Sequence, residues 1–258
     1  MNKTALITGA SSGIGMELAT VFAKQKDNLV LVARNAAKLE EMAKELTSKH
    51  GIKVNVLAID LSELNSAQKV YDYCQKNNLN IDYLINNAGF GDFGLFAESK
   101  WEKQFQMINL NITTLTHLTH LFLPTMIKNK FGKIMNVAST AAFQPGPTMS
   151  VYYATKAFVL HFSEAIANEL EGSGVTVTAL CPGATESGFQ SAAAMEESKL
   201  VKGKKLPTSS EVAEYGYKAM MKGEKVAIHG MMNYLMANSV RFSPRAMVLK
   251  MVRMMQDK

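Results

Sequence analysis

Short apolar runs alternate with longer amphipathic stretches along almost the whole chain. Runs near 3–8, 29–33, 53–58, 81–86, 132–138, 175–180 and 225–229 have strand length and predict strands. Segments near 13–26, 36–49, 66–78, 100–129, 150–172 and 209–222 carry apolar positions at helical spacing, as Leu18, Val21 and Phe22 do beside Glu17. Strands joined by long helical crossovers pair in parallel, and the right-handed sense of the crossovers puts helices on both faces. The pattern therefore predicts an α/β chain with a doubly wound parallel sheet of about seven strands. No Pro/Ser-rich linker, internal repeat or low-complexity tract divides it. A single domain is expected over 1–230, with 187–208 inserted as cover for a substrate cleft and 231–258 as a basic amphipathic C-terminal extension.

Composition narrows this picture a little. A chain of 258 residues, 47% hydrophobic and 19% charged, can bury one sizeable core and is not of disordered type. Cys74 and Cys181 are too few for a disulfide framework or a thiolate metal site and read as reduced, buried residues. No leader precedes the first strand and no apolar run reaches membrane-spanning length, so a cytoplasmic location is expected. The net charge of +6 is concentrated at Lys199, Lys202, Lys204 and Lys205 and again at Arg241, Arg245, Lys250, Arg253 and Lys258. Neither run interleaves aromatics in a nucleic-acid-binding module, and solvated faces are the plainer reading.

Candidate chemistry begins at Thr4–Gly15, where an apolar run ends in a turn with Gly9, Gly13 and Gly15 and continues as a helix. Glycines let backbone approach a phosphate, and the following helix N-terminus offers free N–H groups and a favourable dipole. The spacing Gly-x-x-x-Gly-x-Gly differs from the common dinucleotide fingerprint, and a turn that merely packs helix on strand is the alternative. Further on, Tyr152 and Lys156 lie one helical turn apart, with Ser139 thirteen residues upstream of the tyrosine. A phenol has an ordinary pKa of about 10, and an ammonium one turn away favours the phenolate. A two-residue pattern alone is an ordinary helix face; its neighbours in sequence make it informative.

Thr8-Gly9-Ala10-Ser11-Ser12-Gly13-Ile14-Gly15, Asn86-Asn87-Ala88-Gly89, Ser139, Tyr152 with Lys156, and Cys181-Pro182-Gly183 stand in the order and spacing of the short-chain dehydrogenase/reductase family. The chain resembles that family from residue 3 to about 230, and the resemblance implies a Rossmann fold and a nicotinamide cofactor. Gly9, Ser11, Ser12, Gly13, Ile14 and Gly15 would then cradle the pyrophosphate. Asp60 and Leu61 would hold the adenine, and Asn87, Ala88 and Gly89 would meet the cofactor at the end of the fourth strand. Asn87 has a second reading, as an asparagine satisfying turn backbone groups, and both can hold together. Pro182, Gly183 and Thr185 would flank the nicotinamide, with Ser187 competing for the threonine's role.

Ala33 and Arg34 stand where NAD-preferring folds carry an acid for the ribose 2′-hydroxyl, and Lys38 follows a turn later. An arginine pairs with a 2′-phosphate that a carboxylate would repel, so NADP(H) is the expected cofactor. A solvent-facing strand-end cation is the alternative for Arg34.

By the same resemblance, Ser139 hydrogen-bonds the substrate oxygen and Tyr152 donates or accepts the proton. Lys156 lowers the phenol's pKa and holds the nicotinamide ribose, and Asn109 holds a relay water. Asn111 is the competing register, and Asn109 is preferred. Hydride addition to a carbonyl builds alkoxide charge, which such groups stabilise and protonate. Nucleophilic catalysis by Ser139 would need a histidine base, and none of His50, His117, His120, His161 or His229 falls at a site position. No metal site is expected; His117 and His120 lack a neighbouring acid or cysteine.

The walls of the cleft are expected from 89–94 and from 187–206, which includes Phe189, Ala192, Ala193, Ala194 and Met195. Neither supplies an arginine for a substrate carboxylate, which favours a hydrophobic ketone or aldehyde. Oxidation of a polar hydroxy acid or β-hydroxy amino acid is the alternative enzyme, and a non-catalytic NADP-binding regulator or scaffold the alternative of another class. A homodimer or homotetramer is expected. In the tail, Pro244 splits an apolar, Arg- and Lys-bearing stretch into two short helices. These either pack on the body or a neighbouring subunit, or lie weakly on an anionic membrane.

Overall fold

Every strand anticipated from the apolar runs forms, within two residues of its expected ends: β1 Thr4–Thr8, β2 Asn28–Ala33, β3 Val54–Ala58, β4 Tyr83–Asn86, β5 Gly132–Val137, β6 Val175–Cys181 and β7 Val226–Ile228. The computed structural model describes residues 2–189, 193, 203 and 205–256. These build a seven-stranded sheet in the order β3-β2-β1-β4-β5-β6-β7, parallel throughout. The helices are α1 Gly13–Lys24, α2 Ala36–His50, α3 Ser66–Lys76, α4 Trp101–Ile108, α5 Leu115–Lys128, α6 Ser150–Glu169, α7 Ser209–Lys222, α8 Met231–Ser239 and α9 Arg245–Gln256. The stretch anticipated as one helix over 100–129 is α4 and α5 joined by a wider π-helical turn, Asn109–Thr114.

Successive strand residues point to opposite faces, and both faces are covered, so the central strands are mostly apolar on both sides. In β1, Ala5 and Ile7 pack with Leu18, Phe22, Leu39 and Met220 of α1, α2 and α7. Leu6 points the other way, into Val70, Leu118, Phe122 and Ile166 of α3, α5 and α6. Local chemistry agrees with these boundaries. The Asn35 side chain caps α2 by accepting from the Lys38 N–H at 3.0 Å, and Gly51 closes that helix at φ +66°.

One group of buried polar residues bridges the two central strands and two helices. Asn86 and Asn136 sit side by side on β4 and β5. The Asn86 amide donates to Thr119 Oγ1 at 3.0 Å and to Asn136 Oδ1 at 2.9 Å, and the Asn136 amide donates to Ser163 Oγ at 2.9 Å. All four are at most 2% exposed. The ladder ties α5 and α6 to the two central strands, just behind the edge where the strands end. Asn136→Leu should therefore cost about 2–4 kcal/mol, because it strands the Asn86 and Ser163 groups without water. Urea unfolding measures this, and a loss below about 1 kcal/mol would show that the ladder is dispensable.

Candidate active site

The sheet reverses its winding between β1 and β4, and the carboxyl ends of the strands there open into a cavity of about 1360 Å³. Its floor at one end is the glycine turn. Gly9 and Gly13 have φ of +66° and +54°, a backbone region that favours glycine. A Cβ on Gly15 would collide with the Asn87 amide and the Gly9 carbonyl. Ser12 starts α1 without a side-chain cap, and no acid occupies the first turn. Ser11, Ser12, Gly13 and Ile14 border the cavity. An uncapped, acid-free helix start in a glycine cradle fits a phosphate group.

Thr8 closes this end: its hydroxyl donates to the Ile85 carbonyl at 3.1 Å and accepts from the Asn87 and Ala88 N–H groups, each at 3.0 Å. Asn87 follows its second sequence reading, since its amide donates to the Thr8 and Gly9 carbonyls at 2.9 and 3.3 Å. The residue still borders the cavity together with Ala88 and Gly89.

Along the groove, Arg34 is 80% exposed and lies 3.8 Å from Asp60. Burial pushes the Asp60 carboxyl up, but two hydrogen bonds from Ser62, at 2.8 and 2.7 Å, and the Arg34 charge outweigh it and hold the pKa below its ordinary value. Leu61 beside it is buried, with its carbonyl accepting from Thr114 Oγ1 at 2.8 Å. Lys38 points to Glu41 at 2.9 Å.

At the other end, β5 delivers Ser139 and α6 delivers Tyr152 and Lys156. The Ser139 hydroxyl accepts from the Ala141 N–H at 3.1 Å and reaches the Pro182 carbonyl at 3.4 Å. Burial pushes the Tyr152 phenol well above its ordinary 10, against a hydrogen bond with Ser139 that pulls it down. Lys156 donates to the Val137 carbonyl at 2.7 Å, and its Nζ lies 5.8 Å from the centre of the Tyr152 ring. Burial lowers the Lys156 pKa from 10.5 to about 8. Burial is the leading influence on both groups, and the Lys156 ammonium is held by the Val137 carbonyl.

The asparagine assignment is corrected. Asn109 donates to the Ser62 carbonyl at 2.7 Å, on the loop after β3. Asn111 instead accepts from the Phe90 N–H at 3.2 Å and donates to the Phe90 carbonyl at 3.0 Å and to Thr155 Oγ1 at 3.1 Å. A Cβ built on Gly89 would lie 3.0 Å from Asn111 Oδ1 and 3.5 Å from Lys156 Nζ. Asn111 is therefore the asparagine that meets α6 beside Lys156. A regular helical period read across this segment misses the phase shift of the π-helical turn.

After β6, the Pro182 carbonyl accepts from the Thr140 N–H at 2.9 Å, and a Cβ on Gly183 would meet Asn233 Nδ2 at 2.6 Å. Buried Thr185 donates to the Gly183 carbonyl at 3.0 Å, and Ser187 Oγ accepts from the Phe189 N–H at 3.3 Å. Both border the cavity and both remain candidates. The Phe189 ring packs tilted against Tyr152 with centroids 5.3 Å apart, and the Phe93 N–H donates to the Ala193 carbonyl at 3.0 Å, so the two anticipated walls touch. Ala192, Ala194, Met195, Lys199, Lys202 and Lys204 lie outside the described residues. No histidine borders the cavity, and no metal-binding group of His, Cys, Asp or Glu occurs among the described residues.

Sequence reasoning missed one wall. The tail folds back so that Val248 and Val252 pack with Met107, Met149, Tyr152 and Tyr153, while Met251 and Met255 border the cavity. Val248, Val252 and Gln256 recur every four residues, a one-face signal visible in the sequence.

A family model described as short chain dehydrogenase matches residues 3–198. A serine 3-dehydrogenase of Agrobacterium fabrum is 38% identical over 191 residues, covering 73% of this chain and 74% of its own length. A very-long-chain 3-oxoacyl-CoA reductase of Phaeosphaeria nodorum is 37% identical over 182 residues, covering 67% of this chain. The chain spans only about half (52%) of that second relative. Among solved structures, a short-chain dehydrogenase from Sphingobium yanoikuyae in complex with NADPH superposes with a TM-score of 0.82 at 33% identity, covering 93% of this chain and 94% of its own.

The Lys156 environment has a measurable sign. Its folded pKa lies below the ordinary value, so the unfolded chain binds the extra proton between pH about 8 and 10.5, and this group's contribution to stability rises across that window. Lys156→Met removes the buried ammonium. Its urea midpoint should gain on the wild type at pH 7 and lose that gain as pH climbs toward 10.5; a pH-independent difference would contradict the burial argument.

Proposed function

Because the chain belongs to the short-chain dehydrogenase/reductase family, oxidoreductases acting on CH–OH donors, we propose that it uses NADP(H) to interconvert a hydrophobic ketone or aldehyde and its alcohol. The observation that carries the reading is the placement of Ser139, Tyr152 and Lys156 together at one end of a cavity whose other end is the glycine cradle. When bound, the nicotinamide supplies or takes the hydride. The residues of this chain do the rest. The uncapped start of α1 would hold the pyrophosphate, Asp60 and Leu61 the adenine, and Arg34, largely exposed and only loosely paired with Asp60 at 3.8 Å, would pair with the 2′-phosphate. Ser139 Oγ donates to the substrate oxygen. Tyr152, kept protonated at neutral pH by burial, gives that oxygen its proton as negative charge develops there. Lys156 holds the ribose, and Asn111 rather than Asn109 orders the backbone of Phe90 beside it.

The resemblance to a serine 3-dehydrogenase supports a second reading, oxidation of a polar hydroxy acid, with Lys205 at the cavity border as the carboxylate's partner. The apolar cleft favours the ketone. Exposed Trp101, Phe105 and Phe158 on α4 and α6 fit the expected homodimer or homotetramer. Among the described residues no helix is long and apolar enough to cross a membrane. Exposed Met231, Met232 and Phe242 near Arg241 and Arg245 keep weak membrane association as the lesser reading of the tail.

NADPH oxidation by ketones and aldehydes, and NADP⁺ reduction by hydroxy acids, separate the two readings, since turnover with hydroxy acids and NADP⁺ alone would select the second. With whichever substrate responds, Tyr152→Phe should lower kcat by at least roughly 100-fold while leaving the dissociation constant of NADPH nearly unchanged. Retention of most activity would exclude Tyr152 as the proton donor. Arg34→Ala should weaken NADPH roughly 10- to 100-fold and NADH little. Equal wild-type affinity for the two cofactors would refute the Arg34 assignment.

A further inference from the structure

We infer that α9, pinned by Gln256, is the wall that selects the substrate, and that it selects carbonyl compounds carrying a long or bulky apolar group. This rests on the hydride-transfer reading above. Gln256 is fully buried, and buried amides are held by partners. Its Nε2 donates to the Tyr153 hydroxyl at 2.6 Å, and its Oε1 accepts from Thr148 Oγ1 at 3.2 Å. Tyr153 is the residue after the proton donor. The Thr148 carbonyl in turn accepts from the Gly94 N–H at 2.8 Å, at the end of the facing wall. One side chain therefore joins the tail to the catalytic helix and, through Thr148, to the segment across the cleft.

The face next to this pin decides what the cleft takes. Met251 and Met255 of α9 and Met232 and Met236 of α8 border the cavity. Unbranched thioether side chains adapt their shape to irregular apolar ligands. The tail's cations, Arg241, Arg245, Lys250 and Arg253, do not border the cavity. The wall thus presents four methionines and no cation to the cavity, with Asn233, Ser239 and Ser243 as polar members at its border, while Tyr152 and Ser139 stand across from it. Gln256 acts here as a positioning residue that keeps this wall against the catalytic helix.

The test uses the purified full chain with NADPH and a series of 2-ketones from butan-2-one to undecan-2-one. Wild-type kcat/KM should rise at least roughly tenfold along the series. Gln256→Leu should raise KM for the longest ketone roughly tenfold more than for the shortest, with a smaller effect on kcat, and Tyr153→Phe should do the same without adding to it. Met251→Trp, which narrows the cleft without touching the pin, should penalise the long ketone selectively and decides the matter if Gln256→Leu does not fold. A wild type that reduces all lengths equally, or variants that lose long and short ketones alike, would overturn the inference and leave hydride transfer standing. A wild type that reduces no ketone overturns the inference, and one that also reduces no aldehyde and oxidises no hydroxy acid overturns both.

Discussion

The four-member ladder through Thr119, Asn86, Asn136 and Ser163 fixes where everything else in the site can stand. Apolar packing alone tolerates sliding of a helix over a sheet, because methyl groups have no directional preference. A buried amide does not, since a shift of an ångström leaves a donor or acceptor facing hydrocarbon. The ladder therefore seats α5 and α6 on β4 and β5 in one register. From that register follow the reach of Lys156 to the Val137 carbonyl and the approach of Tyr152 to Ser139.

Burial is the second organising term, and it acts on the two titratable groups in opposite directions. It holds the proton on Tyr152 and loosens the proton on Lys156, whose pKa falls to about 8. A protonated phenol is the form required of an acid that quenches an alkoxide. The cleft that excludes water to achieve this is closed on three sides, by the segment after β4, by the segment after β6 and by the tail. Thr148 and Phe93 tie those sides together through backbone hydrogen bonds to Gly94 and Ala193.

The sheet, its strand boundaries and the residues at its carboxyl edge were legible in the sequence because local pattern determines them. Period, turn glycines and apolar run length are properties of neighbours along the chain. What escaped was set by distance in space. Asn109 and Asn111 lie on opposite sides of a regular helix, and which of them faces α6 depends on the phase that the widened turn between α4 and α5 sets. Asn87 could be read two ways until Thr8 and Gly9 were seen to face it. Tail residues were recognised as apolar, but their function as a cavity wall depends on a contact between Gln256 and Tyr153, 103 positions apart.

The π-helical turn at Asn109–Thr114 carries a consequence for how such a chain can change over generations. A wider turn amounts to a residue inserted into an α-helix, and each residue of an α-helix advances the helix face by about 100°. Asn111 faces Phe90 and Thr155 because of that surplus rather than because of its own chemistry. Substitutions in this segment can be graded and repaired one at a time. Loss or gain of a single codon cannot, because it rotates α4 against α5 and turns the asparagine away at one stroke. Reading-frame-preserving insertions and deletions, tolerated in surface loops, are therefore excluded here by geometry.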